Sequence, residues 1–265
     1  MRASLLQLSV DSSESADERR HRAASLVRGR AGDDLVVLPE LWTAGAWAYD
    51  RWDHDAEGVD GPTAEVMSAA ARQAGTWLHA GSIVERDEDG TRYNTALLFD
   101  REGELRGSYR KIHRYGFDTG EATMMGGGDA IVTVPTDFGV IGLAICYDLR
   151  FPELFRGLLD AGAELIAVPA AWPAARLSHW QLLTRTRALE EQVFLLACCA
   201  VGTHGGMEQG GHSMVIDPWG TVLGAADTAE ETVTVDLDMA EVTRIRTELP
   251  VLRDRVLAIA APEQR

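Results

Sequence analysis

Short apolar runs alternate with helical patterns along the whole 265-residue chain, and this alternation constrains its fold more than any other feature. Several runs are apolar at successive positions, as in strands that are buried on both faces. The pattern predicts an α/β fold in which layers of helix pack on sheet. Predicted strands span 5–10, 35–38, 77–84, 95–99, 140–146, 165–170 and 193–200, and predicted helices span 15–27, 62–74, 152–161 and 178–192.

The size and the glycine-rich stretches of the chain bear on its organisation. A chain of this length with 46% hydrophobic residues can bury one large core, so we expect a single domain over 1–265. Segments 92–113 and 211–226 have the pattern of β-hairpins around short turns. Glycines cluster at 126–128 and 202–211, but neither cluster fits a phosphate-binding motif. We interpret both clusters as turns or mobile rims.

Charge and hydropathy exclude several classes of partner. The chain has 41 acidic and 25 basic residues, and its net charge of −16 repels nucleic acid phosphates and anionic lipid headgroups. No run reaches the roughly 18 apolar residues of a membrane-spanning helix, and the N-terminal residues lack the apolar core of a secretory signal. We therefore expect a cytoplasmic protein that binds neither nucleic acid nor membrane.

The cysteines and histidines predict neither a disulfide framework nor a metal site. Cys198 and Cys199 are adjacent, which is an awkward geometry for a disulfide, and Cys146 leaves the set odd. The seven histidines form no HxH or HExxH pattern, and the chain contains no CxxC. We expect a reduced compartment, no metal and no cofactor.

Cys146 is a candidate nucleophile because it follows an apolar strand and precedes a helix predicted to begin at Pro152. At such a turn a side chain projects into a site, and free backbone N–H groups can stabilise a developing oxyanion. That geometry favours acyl transfer. A small buried packing role is the alternative for this cysteine taken alone.

Two charged residues are candidates for the same site. Glu40 follows the apolar run 35–38, where open α/β sheets bind ligands beyond the strand ends, and its carboxylate can act as a general base. Lys111 follows the second strand of the predicted hairpin 92–113, and its ammonium can stabilise an oxyanion and lower the pKa of a nearby thiol. Taken singly, each is also compatible with a helix cap or a solvated surface position.

Together the three segments resemble the nitrilase superfamily of carbon-nitrogen hydrolases, which has Glu, Lys and Cys motifs in this chain order. The resemblance rests on LPELW around Glu40, YRKIH around Lys111 and CYDLRFPELFR around Cys146. The stretches 93–100, 178–202 and 211–223 also look like the family, so the similarity covers nearly the whole chain. It implies a four-layer α-β-β-α sandwich.

The resemblance also implies a mechanism. Cys146 attacks the amide carbon and Glu40 serves as base and then as acid. Lys111 and the backbone N–H of Tyr147 hold the oxyanion, ammonia leaves, and water releases the acyl group. Glu121 best matches the family's second glutamate, a position that would orient Lys111. An amide is a poor electrophile with a poor leaving group, so its hydrolysis needs a nucleophile, a proton donor for the nitrogen and a positive group at the oxygen. Cys, Glu and Lys supply these three functions.

Residues around the three motifs indicate the type of amide. The sequence after Cys146 resembles amidase branches that act on ω-amides and deaminated glutathione. Trp172 is a candidate apolar wall of the pocket, with a core position as the alternative. Arg150 and Glu153 are expected to form a structural ion pair, and Arg114 could pair with a substrate carboxylate.

Alternatives remain open at this point. Hydrolysis of N-carbamoyl amino acids uses a similar fold and triad, and nitrile hydrolysis could be a minor activity. A catalytically silent scaffold or a redox-sensing Cys146 are further possibilities, although the presence of all three triad residues argues against a scaffold. The resemblance implies a small amide substrate and a homodimer or larger homo-oligomer, in which the stretch 250–265 could dock on a neighbouring subunit or on its own domain.

Overall fold

The computed structural model describes residues 1–10 and 13–257 and contains two six-stranded sheets. The strands are β1 (Arg2–Gln7), β2 (Leu35–Val37), β3 (Trp77–Arg86), β4 (Arg92–Phe99), β5 (Leu105–Arg110), β6 (Thr133–Thr136), β7 (Gly139–Leu143), β8 (Leu165–Ala170), β9 (Phe194–Cys199), β10 (Val201–His204), β11 (Met207–Gly210), β12 (Met214–Ile216), β13 (Val222–Ala225) and β14 (Glu231–Asp236). The helices are α1 (Ala16–Arg28), α2 (Pro62–Ala74), α3 (Glu121–Met124), α4 (Pro152–Asp160), α5 (Leu177–Glu191) and α6 (Ala240–Glu248).

Each sheet has parallel strands at its centre and antiparallel strands at its edges. The first has the order β14-β1-β2-β3-β4-β5, with β1, β2 and β3 parallel. The second has the order β13-β12-β9-β8-β7-β6, with β7, β8 and β9 parallel. Parallel strands end at the same edge of a sheet, so the segments that follow them gather there.

The layers pack in the predicted order α-β-β-α. Leu98 of the first sheet and Leu143 of the second belong to one buried cluster, which also includes Phe155 of α4. The opposite face of the first sheet packs against α1 and α2. Val36 of β2 belongs to the same buried hydrophobic cluster as Met67 of α2. The predicted four-layer α/β sandwich is confirmed.

Local sequence explains where the helices that cover the first sheet begin and end. Ser15 accepts a hydrogen bond from the backbone N–H of Glu18, and the Glu18 carboxylate accepts one from the Ser15 N–H, which closes a capping box before α1. Pro62 occupies the first turn of α2, where its missing N–H costs no hydrogen bond. Gly75 ends α2 at a φ of 65°, a conformation that glycine adopts without steric strain.

Most predicted elements lie within a few residues of the observed ones, with two corrections. The two predicted hairpins are confirmed as β4–β5 and β12–β13. The strand predicted over 140–146 ends at Leu143, because the chain then turns into a 3₁₀ helix. The stretch 202–211, interpreted as turns, mostly forms an additional hairpin of β10 and β11.

Two expectations concern features beyond the sandwich itself. Part of the stretch 250–265, for which docking was predicted, lies outside the described residues, and within the described part Val256 and Leu257 are exposed. Across 1–10 and 13–257, no helix has the length and apolar character needed to cross a membrane.

Candidate active site

Glu40 lies just beyond β2 with its carboxylate buried and fully hydrogen-bonded. The side chain is 3% exposed. Its Oε1 accepts hydrogen bonds from Lys111 Nζ at 2.6 Å and from Asn94 Nδ2 at 2.8 Å, while Oε2 accepts one from the backbone N–H of Ala171 at 2.9 Å. The next residue, Leu41, has a φ of 44°, which is costly for a side chain that is not glycine. The carboxylate is therefore held in one orientation.

Lys111 follows β5 and carries a fully buried ammonium group. Its Nζ donates to Glu40 Oε1 at 2.6 Å and to Glu121 Oε2 at 2.8 Å. Burial alone would lower the pKa of Lys111, but the charges of Glu121 and Glu40 outweigh it and raise that pKa well above its ordinary value. The two carboxylates therefore favour the positively charged form of Lys111.

Glu121 begins the short helix α3 and is brought to the site, as the sequence predicts. Besides Lys111, its carboxylate accepts hydrogen bonds from the Tyr115 backbone N–H at 2.8 Å and from Asn94 Nδ2. Burial and the negative charge of Glu40 raise the pKa of Glu121, against the opposing effect of Lys111. Two buried carboxylates therefore share one ammonium group.

Cys146 lies at the start of a 3₁₀ helix, Cys146–Arg150, that follows β7. We call residues 144–150 the Cys146 turn. Cys146 has a φ of 45°, in the left-handed region that only over-determined surroundings impose on such a residue. Those surroundings include the buried Asp148 carboxylate, which accepts hydrogen bonds from the Ile145 N–H at 2.9 Å and the Tyr109 hydroxyl at 2.8 Å. Since Tyr109 belongs to β5, Asp148 ties the Cys146 turn to the strand that delivers Lys111.

The surroundings of Cys146 favour the protonated form of its thiol. Burial, followed by the negative charge of Glu40, raises its pKa well above the ordinary value, and the opposing charge of Lys111 does not compensate. The expectation that Lys111 lowers the thiol pKa is thus correct in sign but is not the dominant effect. A neutral thiol beside a carboxylate needs that carboxylate to take its proton before the sulfur can attack.

Tyr147 and Trp172 also lie where the sequence predicts, around the same cavity. The N–H of Tyr147 is in the first turn of a 3₁₀ helix, where backbone N–H groups have no acceptor within the helix. Trp172 follows β8 and is 2% exposed, and its indole N–H donates to the Arg176 carbonyl at 2.8 Å. Tyr147 therefore offers a donor beside Cys146, and Trp172 forms a fixed wall.

The cavity contains about 470 Å³ of empty space, part of it open to solvent. The three motif residues and Glu121 line it together with aromatic side chains and two arginines. The lining residues are Glu40, Ala46, Trp47, Tyr49, Trp52, Lys111, Tyr115, Glu121, Cys146, Tyr147, Arg150, Ala171, Trp172, Pro173 and Arg176. A small molecule with one polar end and one charged end fits such a lining.

The arginines differ from their predicted roles. Arg150 does not pair with Glu153: its guanidinium lies 4.8 Å from the centre of the Trp172 ring and, in the part of the chain that the structure describes, forms no ion pair. Arg176 packs over Tyr115 at 5.9 Å and lines the cavity as well. Arg114 instead donates to the Met125 carbonyl at 2.7 Å and is absent from the lining.

Sequence reasoning missed several residues of the site. Asn94 joins Glu40 to Glu121, and it lies in the family-like stretch 93–100 to which no role was given. Trp47 and Tyr49 follow the Glu40 motif in a loop without regular periodicity, so no pattern marked them. Their contribution depends on a loop path that only the tertiary structure fixes.

The geometry bears on the redox-sensor alternative for Cys146. Among residues 1–10 and 13–257, no group of three potential ligand side chains could hold a metal ion. Cys198 and Cys199 are fully buried free thiols whose pKa values are raised by burial. Neither is an accessible resolving partner for Cys146, as the redox-sensor alternative would require.

Comparisons with known proteins identify the family of the chain. The carbon-nitrogen hydrolase family model matches residues 2–247, and the chain belongs to that family. The chain is 39% identical to a 2-oxoglutaramate amidase of Paenarthrobacter nicotinovorans, over 94% of this chain and 87% of that protein. It is 34% identical to the omega-amidase NIT2 of Homo sapiens, over 100% of this chain and 98% of that protein. The predicted class of enzyme, an amidase acting on carbon-nitrogen bonds other than peptide bonds, is confirmed.

A solved structure shares the fold over nearly all of the chain. The carbon-nitrogen hydrolase superfamily protein XC1258 from Xanthomonas campestris superposes with a TM-score of 0.90 at 30% sequence identity, covering 98% of this chain and 99% of that one. That protein was solved with an arsenic adduct in its active site.

The raised pKa of the Cys146 thiol leads to a first prediction. Because the charge of Glu40 raises that pKa, Glu40→Gln should move the thiol titration to lower pH, whereas Lys111→Met should move it higher. The measurement is thiolate absorbance at 240 nm against pH, with Cys146→Ser subtracted to remove the other two cysteines. A higher titration pH in Glu40→Gln would contradict the proximity of carboxylate and thiol.

Proposed function

We propose that this protein hydrolyses a small linear carboxamide through a thioester on Cys146, with Glu40 and Lys111 completing the catalytic triad. One observation carries the proposal: a buried ammonium group hydrogen-bonded to two carboxylates lines the same cavity as a cysteine on a strained turn. Burying three charged groups is costly, and a merely structural site would be cheaper with apolar side chains.

Acylation follows from the position of each group. Glu40 takes the proton of Cys146 as the sulfur attacks the amide carbon, and the carbonyl electrons move onto oxygen. Lys111 and the N–H of Tyr147 stabilise that oxyanion. When the carbon-nitrogen bond breaks, Glu40 returns its proton to the nitrogen and ammonia leaves, so the base of the first step is the acid of the second.

Deacylation repeats the cycle with water. Glu40 takes a proton from a water molecule that attacks the thioester, and it returns the proton to sulfur as the carboxylic acid is released. Lys111 remains charged throughout, because the carboxylates of Glu40 and Glu121 raise its pKa. Glu121 and Asn94 act by positioning, since they hold Lys111 and Glu40 at the distance that the oxyanion requires.

The two arginines support a substrate that carries a carboxylate. Arg150 and Arg176 line the cavity without an acidic partner in the described chain, although the protein has 16 more acidic than basic residues. A guanidinium that lies over an aromatic ring and has no acidic partner in the described chain is suited to bind a carboxylate through two parallel hydrogen bonds. We therefore propose an ω-amide of a small carboxylic or 2-oxo acid, the class to which the relatives' names refer.

Hydrolysis of N-carbamoyl amino acids remains the second candidate, because its substrates also carry a carboxylate that Arg150 could bind. The two reactions differ in their products. An ω-amide gives ammonia and a dicarboxylic acid, whereas an N-carbamoyl amino acid gives ammonia, carbon dioxide and the free amino acid.

An activity panel tests the proposal. Purified protein is given ω-amides, aliphatic amides, N-carbamoyl amino acids and nitriles, and both ammonia and carbon dioxide are measured. We expect ammonia alone, with ω-amides turned over fastest. Cys146→Ala should lower kcat by at least about 10³-fold for every accepted substrate, because it removes the nucleophile. The control Cys198→Ala changes a buried cysteine elsewhere in the second sheet and should keep kcat. Full turnover by Cys146→Ala would refute the mechanism.

The arginine assignment gives a separate prediction. Arg150→Met should raise KM for glutaramate by roughly 10- to 100-fold, since a charge-assisted hydrogen bond is lost. For the uncharged amide butyramide, KM should stay nearly unchanged. Arg114→Met is the matched control, because that arginine carries the same charge but does not line the cavity. Equal effects of Arg150→Met on both amides would argue against carboxylate binding.

We also propose that the protein is a cytoplasmic homodimer, as the family resemblance implies. Three free cysteines suit a reducing compartment. On α5, Leu182 and Leu189 are exposed seven residues apart on one helix face, which would favour self-association. Light scattering coupled to gel filtration should give about twice the chain mass of 28.8 kDa. A single-chain mass at micromolar concentration would exclude the dimer.

A further inference from the structure

The β10–β11 hairpin packs behind the cavity without lining it. It leaves the second sheet directly after β9 and forms its own two-stranded sheet, in which Val201 pairs with Gly210 and His204 with Met207. Of the described residues that line the cavity, none comes from 201–210. The hairpin nevertheless contacts two separate wall segments, the loop that carries Trp47 and the segment that carries Trp172.

Its first contact is with the Trp47 loop. The tip residue Gly205 lies so close to this loop that a Cβ at this position would be 2.0 Å from the Trp47 carbonyl oxygen. Beside it, the His204 ring packs against Gly45, where Nδ1 lies 3.4 Å from the position of a Cβ. Burial lowers the pKa of His204 to about 4, so this ring is neutral at pH 7 and packs as an apolar surface. Backbone contacts this close leave the loop no freedom to shift toward the hairpin.

Its second contact is with the segment that follows β8. The Gly210 N–H donates to the Trp172 carbonyl at 2.8 Å, and Gln209 pairs with Pro173 in an isolated antiparallel bridge. A Cβ at Gly210 would lie 3.4 Å from both the Trp172 carbonyl oxygen and Ala174 Cα. The strand β11 is therefore joined to the wall that carries Trp172 and, two residues beyond Ala174, Arg176.

Gln209 contacts both walls, because its backbone pairs with Pro173 and its side chain bonds Trp47. It is 4% exposed, and its Oε1 accepts a hydrogen bond from the Trp47 indole N–H at 3.3 Å while its Nε2 donates to the Met207 carbonyl at 3.0 Å. The same indole N–H also donates to the Ala171 carbonyl at 3.1 Å, on the opposite wall. The hairpin, which does not line the cavity, thus helps to fix the position of the Trp47 ring in the cavity wall.

We propose that the β10–β11 hairpin is a specificity-determining element that sets the spacing between the Trp47 and Trp172 walls, and with it the length of amide that the site accepts. This inference rests on the proposed function of the same cavity. Gln209 and Gly205 are positioning residues, because they act on substrate only through Trp47. Because neither belongs to the triad, a change in them should alter substrate selection rather than the chemical step.

Two neighbouring glycines provide a matched pair of variants. Gly205 has a φ of 55° and Gly206 a φ of 75°, so alanine causes the same kind of backbone strain at both positions. Only at Gly205 does the added Cβ meet Trp47, whereas at Gly206 nothing lies within 4 Å of it. Gly205→Ala should push Trp47 away from the hairpin and into the cavity, while Gly206→Ala should leave the cavity unchanged.

The experiment compares succinamate, glutaramate and adipamate, monoamides that differ by one methylene each. In Gly205→Ala, we expect kcat/KM for adipamate relative to succinamate to fall at least about fivefold, through KM, since one methylene in a pocket changes binding by roughly tenfold or more. For succinamate, kcat should stay within about twofold of the wild-type value, and Gly206→Ala should keep the wild-type ratio. Gln209→Leu removes the indole acceptor and should also change the length ratio, with kcat for succinamate retained.

The outcomes separate the two proposals. If Gly205→Ala does not fold, Gln209→Leu decides, and circular dichroism verifies the fold of each variant. An unchanged length ratio in active, folded Gly205→Ala and Gln209→Leu would overturn the role of the hairpin and leave the amidase mechanism intact. Equal length ratios in Gly205→Ala and Gly206→Ala would overturn it too. Absence of ammonia release by the wild-type protein from all three amides would overturn the proposed function and this inference with it.

Discussion

The buried ammonium group of Lys111 is the interaction on which the arrangement of the site depends. An ion removed from water is tolerated only when its hydrogen bonds and its charge are matched, and Glu40 and Glu121 supply that match at 2.6 and 2.8 Å. The three residues come from the end of β2, the end of β5 and the start of α3. These three elements must therefore meet at one point for the buried charges to be matched. The fold and the geometry of the site thus stabilise each other.

A second buried carboxylate extends this coupling to the nucleophile. Asp148 lies within the Cys146 turn and accepts hydrogen bonds from Tyr109 and His113, which flank Lys111. These hydrogen bonds hold the Cys146 turn in place against the backbone strain of its positive φ. The thiol and the ammonium group are thus positioned by one set of contacts, and the strained turn places Cys146 in the cavity lining.

The walls of the cavity depend on more distant contacts. Trp47 is held by a carbonyl after β8 and by Gln209 from the β10–β11 hairpin. Arg150 faces Trp172 instead of Glu153, because the 3₁₀ helix directs its side chain toward the cavity while Glu153 at the start of α4 faces solvent. The Trp47 wall is therefore held in part by a residue, Gln209, that does not itself line the cavity.

The sequence by itself predicted the layers of helix on sheet and the two hairpins, because hydrophobic periodicity is local. Its contiguous motifs marked Glu40, Lys111 and Cys146 as candidates, and the family resemblance added Glu121. Only the tertiary structure decided the contacts of Asn94, the raised pKa of the Cys146 thiol, the placement of Arg150 and Arg176 along the cavity and the β10–β11 hairpin. Each of these depends on groups far apart in the chain, and burial and charge at such a point are properties of the assembled surroundings that no local pattern encodes.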